Sequence, residues 1–353
     1  MRKAFSFLLA ALMLLGAFPG ASAEEDPELS AHCAVLMGPD GQILYARNPD
    51  ERCLIASTTK LMTALVALEH GELDESVKIP AECCAIEGSS MYLRPGESYT
   101  LRELLTGLLL VSGNDAAEAL ALHCAGSEAA FVDWMNQKAE TLGMCNSHFA
   151  NPHGLNAEGH YGSASDLARL MAACMKEPEL QKILGMPSAD IAGQSYYNHN
   201  KLLWRCPGCL GGKTGYTQAA GRCLVSCCER EGTRLFCVTL SAPKDWDDHI
   251  ALYDWGYARY GTRNLTEGMS LTVPVIAGTE GETPLEAEPL WAFLPRDAEP
   301  ILRAELPRFV FAPVKAGEKA GMLTALWNGE ILGTVRLRYA ETVETALWSG
   351  RTT

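Results

Sequence analysis

The chain has 353 residues, 48% of them hydrophobic, a formal charge of −14 and 13 cysteines. That length allows two domains and a sizeable core, while an acidic chain with no basic cluster argues against nucleic acid and against electrostatic attachment to anionic lipid. The odd cysteine count leaves at least one thiol free or paired between chains.

Arg2 and Lys3, the apolar run from Phe5 to Phe18 and the small residues Ala21-Ser22-Ala23 read as a secretory signal over residues 1–23, cleaved after Ala23. The apolar run is shorter than a bilayer span and ends in Pro19-Gly20, which disfavours an uncleaved anchor. Losing Arg2 and Lys3 takes the formal charge from −14 to −16. No later stretch is long and apolar enough to span, and no cysteine follows the cleavage site to take a lipid. The mature protein is therefore expected to be soluble and extracytoplasmic.

Apolar runs at 32–37 and 42–46 flank Gly38-Pro39-Asp40-Gly41 and predict a hairpin. Leu61, Met62, Leu65 and Leu68 form a helical stripe over 57–70, stopped by Gly71. Two buried helices are expected at 101–111 and 115–123, with Ser112-Gly113-Asn114 in the turn between them, and another at 128–142. After a loop at 151–162 rich in Gly, Asn and His, helical pattern resumes at 165–175 with Ser165 or Asp166 as cap. Strands are expected at 211–217, 221–228 and 234–241, then a helix at 246–260.

Strands at both ends with helices between them predict one antiparallel sheet, closed by N- and C-terminal strands and covered by helices. Past Asn264 the cysteines vanish and short alternating runs at 270–275, 323–327 and 335–339 predict a small all-β domain. The division is a signal at 1–23, an α/β (α+β) catalytic domain at 24–262 and a β-rich domain at 263–353. Most cysteines sit in apolar surroundings and read as small buried hydrophobes. Cys206-Pro207-Gly208-Cys209 is the exception, where a local disulfide stands as a hypothesis beside the reading as free thiols. Zinc is disfavoured there because no second CxxC and no paired histidines stand at ligand spacing.

Three short motifs carry the chemistry: Ser57-Thr58-Thr59-Lys60, Ser112-Gly113-Asn114 and Lys213-Thr214-Gly215. A chain this long holds roughly one SxxK and one SxN by accident, but KTG arises in about one chain in ten. Ser241-Ala242-Pro243-Lys244 is such an accident, since its proline denies Ser and Lys a shared helical face. A serine needs a base within hydrogen-bond reach to become a nucleophile, and Lys60 follows Ser57 on one helical face. The helix start and burial against Leu61 and Met62 both favour the neutral amine. Asn114 would fix a substrate carbonyl, and Ser112 would relay a proton to the leaving amine. Lys213, Thr214 and Gly215 on an edge strand would offer a backbone rail, a cation for a terminal carboxylate and room for close approach. The plain alternatives are Ser57 as a helix cap with a solvated Lys60, Asn114 or Asp115 as an N-cap, and Lys213 as an exposed strand end.

These motifs resemble those of the low-molecular-mass penicillin-binding proteins, specifically the D-alanyl-D-alanine carboxypeptidases of serine peptidase family S11. Ile55-Ala56-Ser57-Thr58-Thr59-Lys60-Leu61-Met62-Thr63-Ala64 is similar to the family's nucleophile helix, Asn151-Pro152-His153-Gly154-Leu155 to a loop signature, and Ser163-Ala164-Ser165-Asp166-Leu167 to the next helix start. Gly212-Lys213-Thr214-Gly215-Tyr216-Thr217 with Ala220-Gly221 is similar to the strand pair of the site. The resemblance implies a serine β-lactamase/penicillin-binding-protein-like fold and a nucleophilic Ser57 with Lys60 as base. It implies Ser112 and Asn114 in the roles above, Lys213 and Thr214 on the substrate carboxylate, and an oxyanion hole from the backbone amides of Ser57 and Tyr216. The implied reaction removes the terminal D-alanine from peptidoglycan stem pentapeptides through an acyl-enzyme, which β-lactams would also form. No metal or organic cofactor is implied.

The chain departs from the family pattern in two places. Some members carry arginine where His199 stands in Asn198-His199-Asn200-Lys201-Leu202-Leu203-Trp204, and many end in a basic amphipathic helix, whereas this tail is short and acidic with Glu341 and Glu344. No strong membrane anchor is expected. A class A β-lactamase would need a Glu-x-x-Leu-Asn segment near 151–162, and none is there. A D-alanyl endopeptidase acting on cross-links and a non-enzymatic β-lactam or peptidoglycan sensor remain as alternatives.

Overall fold

The computed structural model describes residues 26–347, so the signal reading at 1–23 lies outside the described residues. Strands β1 (Cys33–Met37) and β2 (Ile43–Arg47) form the expected hairpin, with Gly41 at φ +89° in the turn. Helix α1 (Lys60–His70) follows a 3-10 turn at Ala56–Thr59, so the expected helix at 57–70 opens in the tighter winding. A short pair, β3 (Ser76–Lys78) and β4 (Ser98–Thr100), leads into α2 (Leu101–Leu110), which Thr100 and Glu103 start as a capping box. Helices α3 (Asn114–Ala125) and α4 (Glu128–Thr141) complete the first helical group.

Helix α5 (Ala164–Cys174) is capped by Ser163, whose Oγ accepts from Asp166 N at 3.3 Å. The expected caps, Ser165 and Asp166, already lie inside the first turn. Asp166 instead turns its carboxylate to Asn146 N, Ser147 Oγ and Arg169. Helix α6 (Pro178–Leu184), the hairpin β5 (Ser188–Ile191) with β6 (Gln194–Tyr197), and the single turn α7 (Leu202–Arg205) carry the chain to the main sheet.

Strands β7 (Cys209–Thr217), β8 (Gly221–Arg230) and β9 (Thr233–Leu240) complete an antiparallel sheet in the order β2-β1-β9-β8-β7, and α8 (Asp245–Arg259) follows. N-terminal β1 thus lies directly against β9, as expected from strands at both ends. The two-residue period decides which face each side chain takes. Cys33, Val35 and Met37 of β1, Cys223, Val225 and Cys227 of β8, and Phe236 and Val238 of β9 join the core with α1 to α5. Ala34, Leu36, Leu224, Cys228, Leu235 and Cys237 face the other way, against Leu252, Tyr253 and Tyr257 of α8. Both faces are covered, so these strands read as nearly unbroken apolar runs.

Ser226 is the polar interruption in β8. Its hydroxyl meets His249 Nδ1 at 2.7 Å and Tyr253 Oη at 2.8 Å, and His249 Nε2 meets Thr239 Oγ1 at 3.0 Å. The network is satisfied internally, as a buried polar group requires.

The cysteines behave as the small hydrophobes expected, with one correction. Cys206 and Cys209 are free thiols; Cys206 packs with Cys228 in the α8-side core, and Cys209 Sγ turns toward Gly211 O at 3.8 Å. The turn through Gly208, at φ +84°, is held by Glu229 N donating to Gly208 O at 2.8 Å rather than by a covalent link.

Beyond α8 the regular elements among the described residues are strands: β10 (Tyr260–Asn264), β11 (Thr272–Ile276), β12 (Glu282–Ala287), β13 (Trp291–Pro295), β14 (Ile301–Glu305), β15 (Val310–Phe311), β16 (Lys319–Trp327) and β17 (Glu330–Tyr339). β14-β16-β17-β12-β11-β15 form one sheet and β10-β13 a second. Val273, Val275, Leu285, Leu323, Leu337 and Val343 form their own core. The three alternating runs named from sequence correspond to β11, β16 and β17. The other strands are short or carry exposed side chains that hide the alternation, as all five residues of β14 do.

Candidate active site

Ser57 stands where the chain turns into α1. Ala56 takes φ +46°, unusual for a residue with a side chain, and Thr58 and Thr59 pin the turn by donating to Ile55 O at 2.6 Å and Ala56 O at 2.8 Å. The turn buries Thr58, Thr59 and Lys60 and leaves Ser57 half-buried. Lys60 is fully buried, so the solvated-lysine alternative is excluded. Its Nζ lies 2.9 Å from Ser57 Oγ, 2.7 Å from Asn114 Oδ1 and 2.6 Å from His153 O. Burial, and then the positive charge of Lys213, hold the Lys60 ammonium well below its usual range. A neutral amine in this cage donates its two hydrogens to Asn114 Oδ1 and His153 O. Its lone pair then faces the Ser57 hydroxyl.

The loop at 151–162 supplies the His153 carbonyl, a contributor that leaves no side-chain signature. Asn151 Oδ1 accepts from Gly154 N at 2.7 Å, which closes the turn on a glycine at φ +90°. A Cβ at position 154 would lie 2.1 Å from Ala56 O. Gly154→Ala is therefore expected to push the loop off the nucleophile turn. We expect a loss of about 2–4 kcal/mol in stability by denaturant unfolding and roughly 10²-fold in the rate of covalent labelling at Ser57. Wild-type values in both would contradict this role for the loop.

Ser112 occupies φ +62°, and its buried Oγ has no hydrogen-bond partner. Strain of this kind needs support from its surroundings. Three residues on, Asp115 ties this turn to the 90–93 segment: its carboxylate accepts from Ser90 Oγ at 2.6 Å, Met91 N at 2.9 Å and Leu93 N at 3.1 Å. Gly113, not Asn114 or Asp115, holds the cap position of α3. Asn114 is free of capping duty: its Oδ1 accepts from Lys60, and its Nδ2 donates to Glu87 O at 2.5 Å.

Lys213 is buried within the sheet edge, which excludes the exposed strand-end alternative; its Nζ donates to Thr214 O at 2.8 Å, and burial lowers it to about 7. Thr214 is half-exposed and Gly215 buried. A Cβ on Gly215 would stand 3.1 Å from Ser57 N and 3.0 Å from Ile55 O, so glycine lets the edge strand and the nucleophile turn meet backbone to backbone. β7 ends the sheet, which leaves one side of its backbone unpaired with any strand. The Tyr216 ring is exposed. Ser57, Ser112, His199, Thr214, Gly215 and Tyr216 line one open cleft, with Tyr92, Tyr197 and Trp204 also along it.

Behind the cleft, His160 is locked in one tautomer. Its Nδ1 accepts from Ala150 N at 3.0 Å, leaving Nε2 to donate to Thr59 Oγ1 at 2.8 Å. Burial holds His153 and His160 at about 4 and His249 at about 3. In the unfolded chain these imidazoles take protons near 6.5. Falling pH between those limits therefore favours unfolding. Glu118 opposes the trend, because burial raises it to about 7. The imidazoles outweigh it, so stability should fall as the pH drops through this window. Thermal unfolding followed from pH 6.5 to 4.5 should show the decline, and a flat melting temperature would contradict it.

The chain is similar in sequence and fold to several known proteins. The profile of the peptidase S11 family, described as D-alanyl-D-alanine carboxypeptidase, matches residues 20–244. The chain is 33% identical to the D-alanyl-D-alanine carboxypeptidase DacF of Bacillus subtilis strain 168, over 94% of this chain and 92% of that one. It is 40% identical to DacB2 of Mycobacterium tuberculosis, over 62% of this chain and 79% of the relative. The crystal structure of penicillin binding protein 5 from Haemophilus influenzae superposes with a TM-score of 0.70 at 30% identity, covering 91% of this chain and 99% of that one. A match of this extent across sequence and fold means that the chain belongs to the S11 family of serine D-alanyl-D-alanine carboxypeptidases.

Proposed function

We propose that this protein releases the terminal D-alanine of peptidoglycan stem pentapeptides through an acyl-enzyme on Ser57, and that β-lactams acylate the same oxygen. The observation that carries this reading is the buried Lys60 amine, 2.9 Å from Ser57 Oγ and caged by two further acceptors. Neutral Lys60 takes the Ser57 proton as Oγ attacks the penultimate D-alanyl carbonyl. The amides of Ser57 and Tyr216 receive the charge that develops on the carbonyl oxygen.

Ser112, buried on the same cleft with an unpartnered hydroxyl, relays the proton taken up by Lys60 to the departing D-alanine nitrogen, which restores the neutral amine. Asn114 holds Lys60 through Oδ1 and has a second Nδ2 hydrogen for a substrate carbonyl. Lys213 and Thr214 receive the terminal carboxylate, whose negative charge favours the Lys213 ammonium. Water then attacks the ester to free the tetrapeptide.

Residues 24–262 are assigned to catalysis and 263–353 to a β-rich unit that supports or positions it. Among the described residues no helix is long and apolar enough to cross a membrane. We place the mature enzyme outside the cytoplasm, where its substrate is found.

The test is D-alanine release from a stem pentapeptide and from a cross-linked dimer, beside a Ser57→Ala control. Release from the pentapeptide establishes the carboxypeptidase. Cleavage confined to the dimer identifies an endopeptidase, and penicillin labelling without release from either identifies a sensor.

A further inference from the structure

On the far side of β8 and β9 from β7, two extended segments bring four metal-ligating side chains together. The first is the entry to β1, where His32 N donates to Leu240 O at 3.2 Å and Cys33 opens the strand. The second is the run after β2, where Cys53 pairs across an isolated bridge with Gly162. Glu51 and Cys53 are two apart in this run, a spacing that places both on one face of an extended chain.

His32 Nε2 lies 2.7 Å from Glu51 Oε1, and Cys33 Sγ lies 3.4 Å from Cys53 Sγ. The donor atoms of His32, Cys33 and Glu51 all fall within 4.8 Å of one another. A tetrahedral zinc ion bound at about 2.3 Å to sulfur and about 2.0–2.1 Å to nitrogen or oxygen sets its donors roughly 3.3–3.8 Å apart. The His32–Glu51 and Cys33–Cys53 separations fall below the values for their donor pairs, so a bound ion would spread each pair by roughly half an ångström, and Cys53 reaches the group through Cys33. Two sulfurs, an imidazole and a carboxylate form a set suited to a borderline-soft cation and ill-suited to magnesium or calcium. His32 and Glu51 are exposed while Cys33 is buried, so the cluster opens to solvent on one side.

We propose that His32, Cys33, Glu51 and Cys53 bind one divalent cation of the zinc class, which fastens the start of β1 to the segment leading into Ser57. A disulfide between Cys33 and Cys53 is the competing fate of this pair. The ion is favoured because it engages the His32–Glu51 pair, whose donor atoms lie within 4.8 Å of the Cys33 sulfur, as well as the two sulfurs. Among the described residues every cysteine is a free thiol. The site stands on Cys53, four residues before Ser57 and bridged to the Gly162 end of the 151–162 loop, so the ion would stiffen the support of the nucleophile without touching substrate. Cysteine spacing along the chain could not reveal it, since the donors come from two segments brought together by folding.

The test uses the full chain, reduced and freed of metal, titrated with Co²⁺ as a spectroscopic probe and with Zn²⁺ in native mass spectrometry. We expect one equivalent of Co²⁺ with a thiolate-to-cobalt charge-transfer band and the visible bands of a tetrahedral site, and one Zn²⁺ that raises the melting temperature. Cys53→Ser, Glu51→Gln and His32→Gln should each weaken binding by at least about 10-fold, whereas Cys145→Ser, at an exposed cysteine elsewhere, should bind as wild type. Metal-free Cys53→Ser melting where metal-free wild type melts separates ligand loss from misfolding. No thiolate band, equal affinity in Cys53→Ser, or a cross-linked Cys33–Cys53 peptide in protein isolated without reductant would each overturn the proposal.

Discussion

Ser57→Ala is expected to lower D-alanine release by at least about 10³-fold and to abolish the covalent penicillin adduct. The substitution removes one half-buried oxygen and leaves the pinning bonds of Thr58 and Thr59 in place, so the fold and the cleft persist. Residual catalysis would come from the oxyanion donors and from carboxylate binding alone. Intact-protein mass spectrometry with penicillin gives the clean readout: one adduct in wild type, none in Ser57→Ala. The second SxxK sets the strongest challenge. Ser241 sits at the end of β9 with φ +49°, and Lys244 follows Pro243 outside any shared helical face. An adduct persisting in Ser57→Ala and mapped to Ser241 would refute the assignment of the nucleophile.

The second large effect is expected at Lys60. Lys60→Met keeps the volume and apolar stem but removes the amine that faces Ser57 Oγ, so acylation should fall by about 10³-fold or more. It also leaves Asn114 Oδ1 without the Lys60 donor and His153 O with only the Ser57 hydroxyl, at 3.4 Å. Unpaired buried acceptors cost roughly 1–3 kcal/mol each, offset here because no amine need be buried, and the melting temperature should move by only a few degrees.

The pH dependence separates Lys60 from a merely structural lysine. On the proposed mechanism Lys60 works as the neutral amine, so wild-type kcat/KM should rise with pH through its lowered pKa. It should fall again above about 7, where Lys213 loses the proton that attracts the substrate carboxylate. Lys60→Met should lose the rising limb and keep the falling one. A rising limb of unchanged position in the variant would assign the base elsewhere.

Much of this fold is legible in the order of the amino acids. The hairpin at 32–46, the helices over 57–70 and 101–123, and the three strands from 211 to 241 carry strong local periodicity and turn residues, and they form within a residue or two of the expected bounds. The elements that local pattern misses are short or depend on distant partners. β3 to β6 and α7 span three or four residues, too few for a period to emerge. The cap of α5 falls on Ser163 because Asp166 is claimed by Asn146, Ser147 and Arg169, which no local rule reveals. Cys206 and Cys209 have disulfide spacing in sequence, but the fold directs their sulfurs to different surroundings.

The sequence by itself determined the residue types of the site and their order: a serine three before a lysine at a helix start, a serine and an asparagine in a turn between apolar helices, and a lysine beside a glycine on a strand. Those are local properties, set by backbone preference and side-chain period. Only the tertiary structure decided that Lys60 is caged by Asn114 and by a carbonyl 93 residues away at His153. It also decided that Ser112 takes φ +62° in the turn that Asp115 ties to Met91, and that Gly215 lets β7 reach the Ser57 backbone. These features are distances between segments remote in the chain. They depend on packing, which the sequence encodes only as a whole.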